Sequence, residues 1–202
     1  MPKKQSKSSN KKATKNTSSR KLIYFDNNAT IPPYRESIQL MSKLANTNML
    51  QNHQHIVDDG IEYVRKHCKL PNADVIFTSG ASESNSTIIR SVIDSWWREQ
   101  NTKPHIIATA IEHNSILYTL ASINPQYVEY TLVQPDIYGC ITADSIMSAV
   151  KNNTALITVM AVNNEIGSIN PVQTIAESAY KLGIPVHSDM TQVFGKHRIN
   201  MK

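Results

Sequence analysis

Residues 155–189 read ALITVMAVNNEIGSINPVQTIAESAYKLGIPVHSD, and the order of their parts points to one architecture. Ala155 to Val162 are apolar apart from Thr158. Such a run, short and greasy throughout, reads as a strand buried on both faces. Pro171 to Leu182 carries apolar residues at helical spacing, with Pro171 near the first turn, where a missing N–H leaves no bond unmade. Ile184 to Asp189, IPVHSD, then returns as a second strand. Two strands bridged by a helix run parallel, because an antiparallel pair would need only a tight turn.

The same alternation extends back to residue 74. DVIFT (74–78), HIIATA (105–110) and YVEYTLV (127–133) read as strands. SESNSTIIRSVIDSWWREQN (82–101), NSILYTLASI (114–123) and TADSIMSAVKNN (142–153) read as helices, the last opened by a Thr or Asp cap. The predicted fold class is α/β, a mainly parallel sheet with helices on both faces. Ligands of such sheets collect beyond the carboxyl ends of the strands, so the loops there carry the functional reading.

Composition sets the outer limits. The 202 residues, 40% hydrophobic and 18% charged, suffice for one domain with a core. A net charge of +5 suggests a polyanionic partner until its location is considered. Eight of the 21 basic residues fall within residues 1–21, before the first acid, Asp26. The other 13 face all 16 acidic residues, a net −3, so nucleic-acid binding is expected only through the tail. That tail is too poor in apolar residues to offset the entropy of ordering, and residues 1–21 are expected to be disordered, as a localisation or polyanion-binding arm or as a solubilising tail. Domain organisation is then a tail over 1–21 and a globular part over 22–202.

No stretch is long and apolar enough to span a membrane, and no secretory leader opens the chain. Cys68 and Cys140 stand far apart without metal-ligand spacing. No metal site is expected, and the chain reads as reduced, intracellular and cytoplasmic.

Four loops are candidates. TSGASES (78–84) joins a strand to a helix; its free first-turn amides and its hydroxyls suit a phosphate, while Ser followed by Glu is also plain capping chemistry. AIEHNS (110–115) offers His113, an imidazole able to stack on a planar ligand or move a proton, or simply a surface histidine. VNNEIGSINP (162–171) holds more hydrogen-bonding capacity than a connection requires. After IPVHS come Asp189, Thr191 and Gln192, and a carboxylate at the end of a central strand is costly unless something cationic meets it. One planar heteroaromatic cation carrying a phosphate would satisfy all four loops.

The ordered set YFDNNAT, FTSGASES, AIEHNS, VNNEIGSINPV and VHSDMTQVFGK resembles the cysteine desulfurases, the NifS-like branch of the class V aminotransferases, which use pyridoxal 5′-phosphate. The resemblance runs from about Leu22 to about Lys196. It implies the large domain of fold-type I pyridoxal-phosphate enzymes, truncated at its C-terminal side. It also implies that Ala81 and Ser82 hold the cofactor phosphate, with Ser82 where the family usually has Thr. His113 would stack on the pyridine ring and assist proton transfer, Asn164 and Gln192 would contact the ring oxygen, and Asp189 would pair with the protonated ring nitrogen. DNNAT (26–30) matches a segment that lies near the family's active site. L-cysteine is the implied substrate and a homo- or hetero-oligomer the implied assembly.

The departures count as well. The family's cofactor-bearing lysine, nucleophilic cysteine and substrate-binding arginine all follow the last matching motif, and Lys196 matches none of them. NTNMLQNHQH (46–55) shares little with the family's corresponding segment. The expectation is therefore a desulfurase-like chain that is inactive alone and binds the cofactor without a covalent link. The alternative is a non-catalytic scaffold that associates with a partner, such as a full-length desulfurase. A sheet cut before its last strands exposes an edge, so the isolated chain is expected to associate or aggregate.

Overall fold

The computed structural model describes residues 23–46 and 54–196. The basic stretch 1–21 and most of NTNMLQNHQH lie outside the described residues. The chain divides between Pro32 and Pro33. In the first unit, the Asp26 carbonyl accepts the amides of Ala29 (3.2 Å) and Thr30 (3.3 Å), folding DNNAT into a turn.

The second unit contains α1 (Arg35–Ala45), α2 (Gln54–Cys68), α3 (Ala81–Gln100), β1 (His105–Thr109), α4 (Asn114–Ser122), β2 (Glu129–Val133), α5 (Ala143–Met147), β3 (Thr154–Thr158), α6 (Val172–Tyr180) and β4 (Val186–His187). The four strands form one parallel sheet in the order β2-β1-β3-β4. Every residue of β1 and β3 is buried, so the greasy runs HIIAT and TALIT are central strands with both faces covered.

Alternation along the strands separates the two faces. Ile106, Ala108 and Leu156 pack with Ile89 and Ile93 of α3 and Ile116 and Leu120 of α4. Ile107, Ile157 and Val159 pack on the opposite face with Ile146 of α5 and Ile175 and Ala179 of α6. Each fully buried isoleucine contributes about 1.5–3 kcal/mol of transfer free energy, so these two layers are what hold the sheet.

The predicted strand 155–162 is paired for most of its length, although regular strand geometry ends at Thr158. The amides of Ile157, Val159 and Ala161 donate to the carbonyls of Pro185 (3.1 Å), His187 (3.0 Å) and Asp189 (3.0 Å). Parallel pairing thus carries Asp189 along as an extension of β4, clamped by its carbonyl beside the end of β3.

The expectation for DVIFT is overturned. Residues 74–78 form no strand, and Ile76 and Phe77 are 82% and 59% exposed. Its β-branched and aromatic residues favour an extended backbone, but a strand exists only when its N–H and C=O groups meet a neighbour. Among the described residues none pairs with it.

Candidate functional site

The sheet order creates a crevice before any side chain is considered. From central β1 the chain moves outward to β2 on one side, then returns past β1 to β3 and β4 on the other. The loops after β1 and after β3 therefore diverge, and the space outside a switch of this kind is where open α/β sheets hold ligands. A cleft of about 410 Å³ opens there, lined by Ala110, Glu112 and His113 from the first loop and Asn163, Asn164 and Ile166 from the second.

Asn163 sets the wall. Its Nδ2 donates to the Ile111 carbonyl (2.8 Å), tying the two loops together, and its Oδ1 accepts the amides of Glu165 (2.8 Å) and Ile166 (3.0 Å). Asn163 is thus committed to structure, whereas half-buried Asn164 lines the cleft beside it, its Nδ2 donating to Glu165 Oε1 at 2.8 Å. Gly139 supports the wall from behind. Its φ of +76° suits glycine, and a Cβ there would overlap Ile166 Cδ1.

His113 is the N-cap of α4. Its Nδ1 accepts the Ser115 amide at 3.1 Å, and Ser115 Oγ lies 2.8 Å from the same nitrogen. The ring is exposed at the mouth of the cleft, not packed in the core.

Asp189 is 7% exposed. Its Oδ1 accepts from the amide of Thr191 (2.9 Å) and from Thr191 Oγ1 (2.6 Å), and its Oδ2 accepts from Asn85 Nδ2 at 2.8 Å. Burial resists ionisation of this carboxyl, but the Thr191 and Asn85 bonds and nearby His187 outweigh it, and the pKa lies below the ordinary aspartate value. No described lysine or arginine bridges to it. A charged carboxylate is therefore held at the sheet's carboxyl end by neutral donors.

Asn85 brings α3 into the site. It is one turn past Ala81, and a turn rises about 5–6 Å, so the helix N-terminus is close to Asp189. Ala81 and Ser82 are exposed at that N-terminus, where first-turn amides have no acceptor on their own helix. Glu83 Oε2 accepts from the Ser79 amide (2.7 Å) and hydroxyl (2.6 Å), which holds the TSG turn against the helix and lowers the Glu83 pKa.

Gln192 is half-buried in the turn after Asp189, and its Oε1 accepts from Lys196 Nζ at 2.8 Å. The structure thus gathers His113 and Asn164 on one cleft and links His113 to Asp189 through Ser115 and Asn85. Gln192 lies one short turn beyond.

Sequence reasoning missed two residues. Asn85 stands in a polar-looking stretch, but it heads the buried stripe Asn85, Ile89, Ile93 at four-residue spacing, a signal that was available. Glu112, adjacent to His113, is 5% exposed. Its Oε1 accepts from Thr109 Oγ1 (2.7 Å) and the Met160 amide (2.8 Å), joining the ends of β1 and β3, and its Oε2 has no partner. Burial pushes its pKa up to about 7, against the pull of those hydrogen bonds and with a push from Asp189.

No described helix is long and apolar enough to cross a membrane, and no described cluster of three or more His, Cys, Asp or Glu could hold a metal.

Comparison with known proteins agrees with this fold. The family model described as Aminotransferase class-V matches residues 23–202. The chain is 32% identical over 191 residues to a putative cysteine desulfurase NifS of Bacillus subtilis, covering 90% of this chain and 47% of that protein. It is 34% identical over 189 residues to the mitochondrial cysteine desulfurase of Saccharomyces cerevisiae, covering 89% and 37%. Among solved structures, SspA in complex with cysteine superposes with a TM-score of 0.74 at 30% identity, covering 88% of this chain and 53% of that one. A NifS-like protein superposes at 0.77 and 27% identity, covering 89% and 51%. The chain spans about half the length of the curated relatives it matches.

Proposed function

Because the chain belongs to the class-V aminotransferase family, in its NifS-like branch, we propose that its crevice is the pyridoxal 5′-phosphate half-site of a cysteine desulfurase. The observation that carries this reading is Asp189, a buried carboxylate kept ionised by neutral donors and bridged to no described lysine or arginine. A charge maintained there at the cost of desolvation suits a ligand that brings its own cation, and a protonated pyridine does so.

The residues present fit that group. Asp189 would hold the ring nitrogen, and His113 would cover the ring from the cleft mouth. Asn164 and Gln192 would meet the ring oxygen. The first-turn amides of Ala81 and Ser82, with the Ser82 hydroxyl, would hold the phosphate at the positive end of the α3 dipole. When bound, the cofactor supplies an electron sink for charge developing on a substrate's α-carbon. L-cysteine is the substrate this reading names, and turnover requires a lysine and a thiolate that the five matched motifs do not supply.

Absorbance and fluorescence titration with pyridoxal phosphate tests the proposal. The wild-type chain is expected to bind reversibly, and Asp189→Asn to bind at least tenfold more weakly, about 1.4 kcal/mol. No spectral change with the wild-type chain would overturn the reading, as would equal affinity in the variant.

A further inference from the structure

Four polar side chains from three separate segments are joined in one line across the site. Asn85 Nδ2 donates to Asp189 Oδ2 at 2.8 Å and to Ser115 Oγ at 3.0 Å, and Ser115 Oγ lies 2.8 Å from His113 Nδ1. Asn85 is 3% exposed, so its amide has protein partners and little water. An amide nitrogen has two hydrogens, and this one spends both, one in each direction.

We propose that Asn85 is a positioning residue which, by holding the Asp189 carboxylate and acting through Ser115, fixes His113 as the tautomer protonated on Nε2. The direction of each bond follows from Asp189. With that carboxylate ionised, a flipped Asn85 would set carbonyl oxygen against carboxylate oxygen, so the amide must present nitrogen. Ser115 Oγ then accepts from Asn85, and its single proton turns to His113 Nδ1. The Ser115 backbone amide points at the same nitrogen from 3.1 Å, a second donor on one lone pair. Nδ1 therefore carries no proton in the neutral ring, and Nε2 does.

The relay does not conduct protons, because Asn85 donates at both ends. It transmits an orientation: the charge at Asp189 determines which end of the Asn85 amide it meets, and thereby which nitrogen of His113 carries no proton. The imidazole at the cleft mouth rests as an N–H donor rather than as a base. This functional consequence rests on the cofactor reading, in which His113 faces the bound ring; the bonding itself does not. Neither Asn85 nor Ser115 touches the cleft's contents in this account, so both position groups that do.

The test uses the cofactor-free chain, labelled with nitrogen-15 in its histidines and carbon-13 in its aspartate carboxyls. Long-range proton–nitrogen correlation near pH 8 is expected to show His113 with a pyrrole-type Nε2 and a pyridine-type Nδ1. In Asn85→Ala the two nitrogen signals should move toward each other, and the Asp189 titration midpoint should rise by about one unit. Ser115→Ala should move the His113 signals and leave Asp189 in place, while Ser115→Thr, which keeps the hydroxyl, should restore the wild-type pattern. A wild-type His113 protonated on Nδ1 overturns the proposal without any variant. Unmoved signals in a folded Asn85→Ala chain overturn it too, and if that variant fails to fold, the serine pair decides. Pyridoxal phosphate titration of the same samples separates the two claims. Shifted signals with no cofactor binding by the wild type would leave the relay standing and remove the cofactor reading; binding with unmoved signals would do the reverse.

Discussion

Glu112 should make the chain less stable as pH rises, the opposite of an ordinary carboxylate. Its pKa lies near 7 in the fold because burial disfavours the charge, against an ordinary value of 4.5. The sign follows from linkage. A group whose pKa is raised on folding stabilises fully below its unfolded value and loses that contribution as pH rises through its folded value. The window is therefore pH 4.5 to 7, a span of 2.5 units, and at 1.36 kcal/mol per unit the loss is about 3 kcal/mol. Glu112→Gln isolates this contribution. Glutamine keeps an Oε1 acceptor for Thr109 Oγ1 and the Met160 amide, and places an uncharged amide where Oε2 has no partner. The leftover N–H adds a pH-independent penalty of about 1–3 kcal/mol. His105, His187 and Asp189 all have lowered pKa values, and each costs stability as pH falls, against the Glu112 trend. The two histidines are present in both proteins and cancel in the difference, and Asp189, which couples to Glu112, is already ionised throughout the range measured. Urea denaturation of wild type and variant from pH 4.5 to 8 gives that difference directly. It should shift in favour of glutamine by about 3 kcal/mol across the range. A flat difference curve would refute the reasoning and show that Oε2 is solvated or paired in solution.

Two further substitutions probe the framework. Ile157→Ala, at a fully buried position of β3, should cost about 3 kcal/mol in urea denaturation, and a cost below about 1 kcal/mol would mean that the sheet face is looser than described. Gly139→Ala and Gly183→Ala should cost about the same, measured the same way. Both glycines have positive φ and carry the backbone penalty of about 1 kcal/mol, and the atom that a Cβ at 139 would overlap, Ile166 Cδ1, is the free end of an exposed side chain that can turn away. A much larger loss at Gly139 would mean that Ile166 is held in place.

The sheet was legible because burial on both faces leaves a trace in single residues. HIIAT and TALIT can afford no polar side chain facing solvent, and their order with the intervening helices fixes parallel pairing. DVIFT has the same local appearance and forms no strand, because pairing depends on a neighbour that local composition does not encode. The strand-end loops were legible for a similar reason. Asp189 stood out as an acid ending an apolar run, and it is buried, with hydrogen bonds that hold its pKa below the ordinary aspartate value. Its partner Asn85 is 104 positions away in the chain. That bond exists only after α3 lies against the sheet, so the sequence offers the stripe Asn85, Ile89, Ile93 but not what the amide touches. Glu112 was hidden by its neighbour, since histidine next to an acid draws the chemical reading while the acid carries the burial.

Glu112 and Asp189 show how two buried acids at the carboxyl end of one sheet come to differ in charge. The two carboxyls are close enough for each ionised Asp189 to oppose ionisation of Glu112. What separates them is the supply of donors. Asp189 receives three hydrogen bonds spread over both oxygens, whereas Glu112 receives two on one oxygen and none on the other. Hydrogen bonds to a carboxylate favour its charge, and burial without them does not, so the same low-dielectric region holds one acid ionised and leaves the other close to neutrality. Removing Asn85 would take away one of the donors that make this difference. The two acids would then approach each other in character, and the negative charge would no longer belong to Asp189 alone. The amide on α3 thus bears both on where the charge sits and, through Ser115, on which nitrogen of His113 carries the proton.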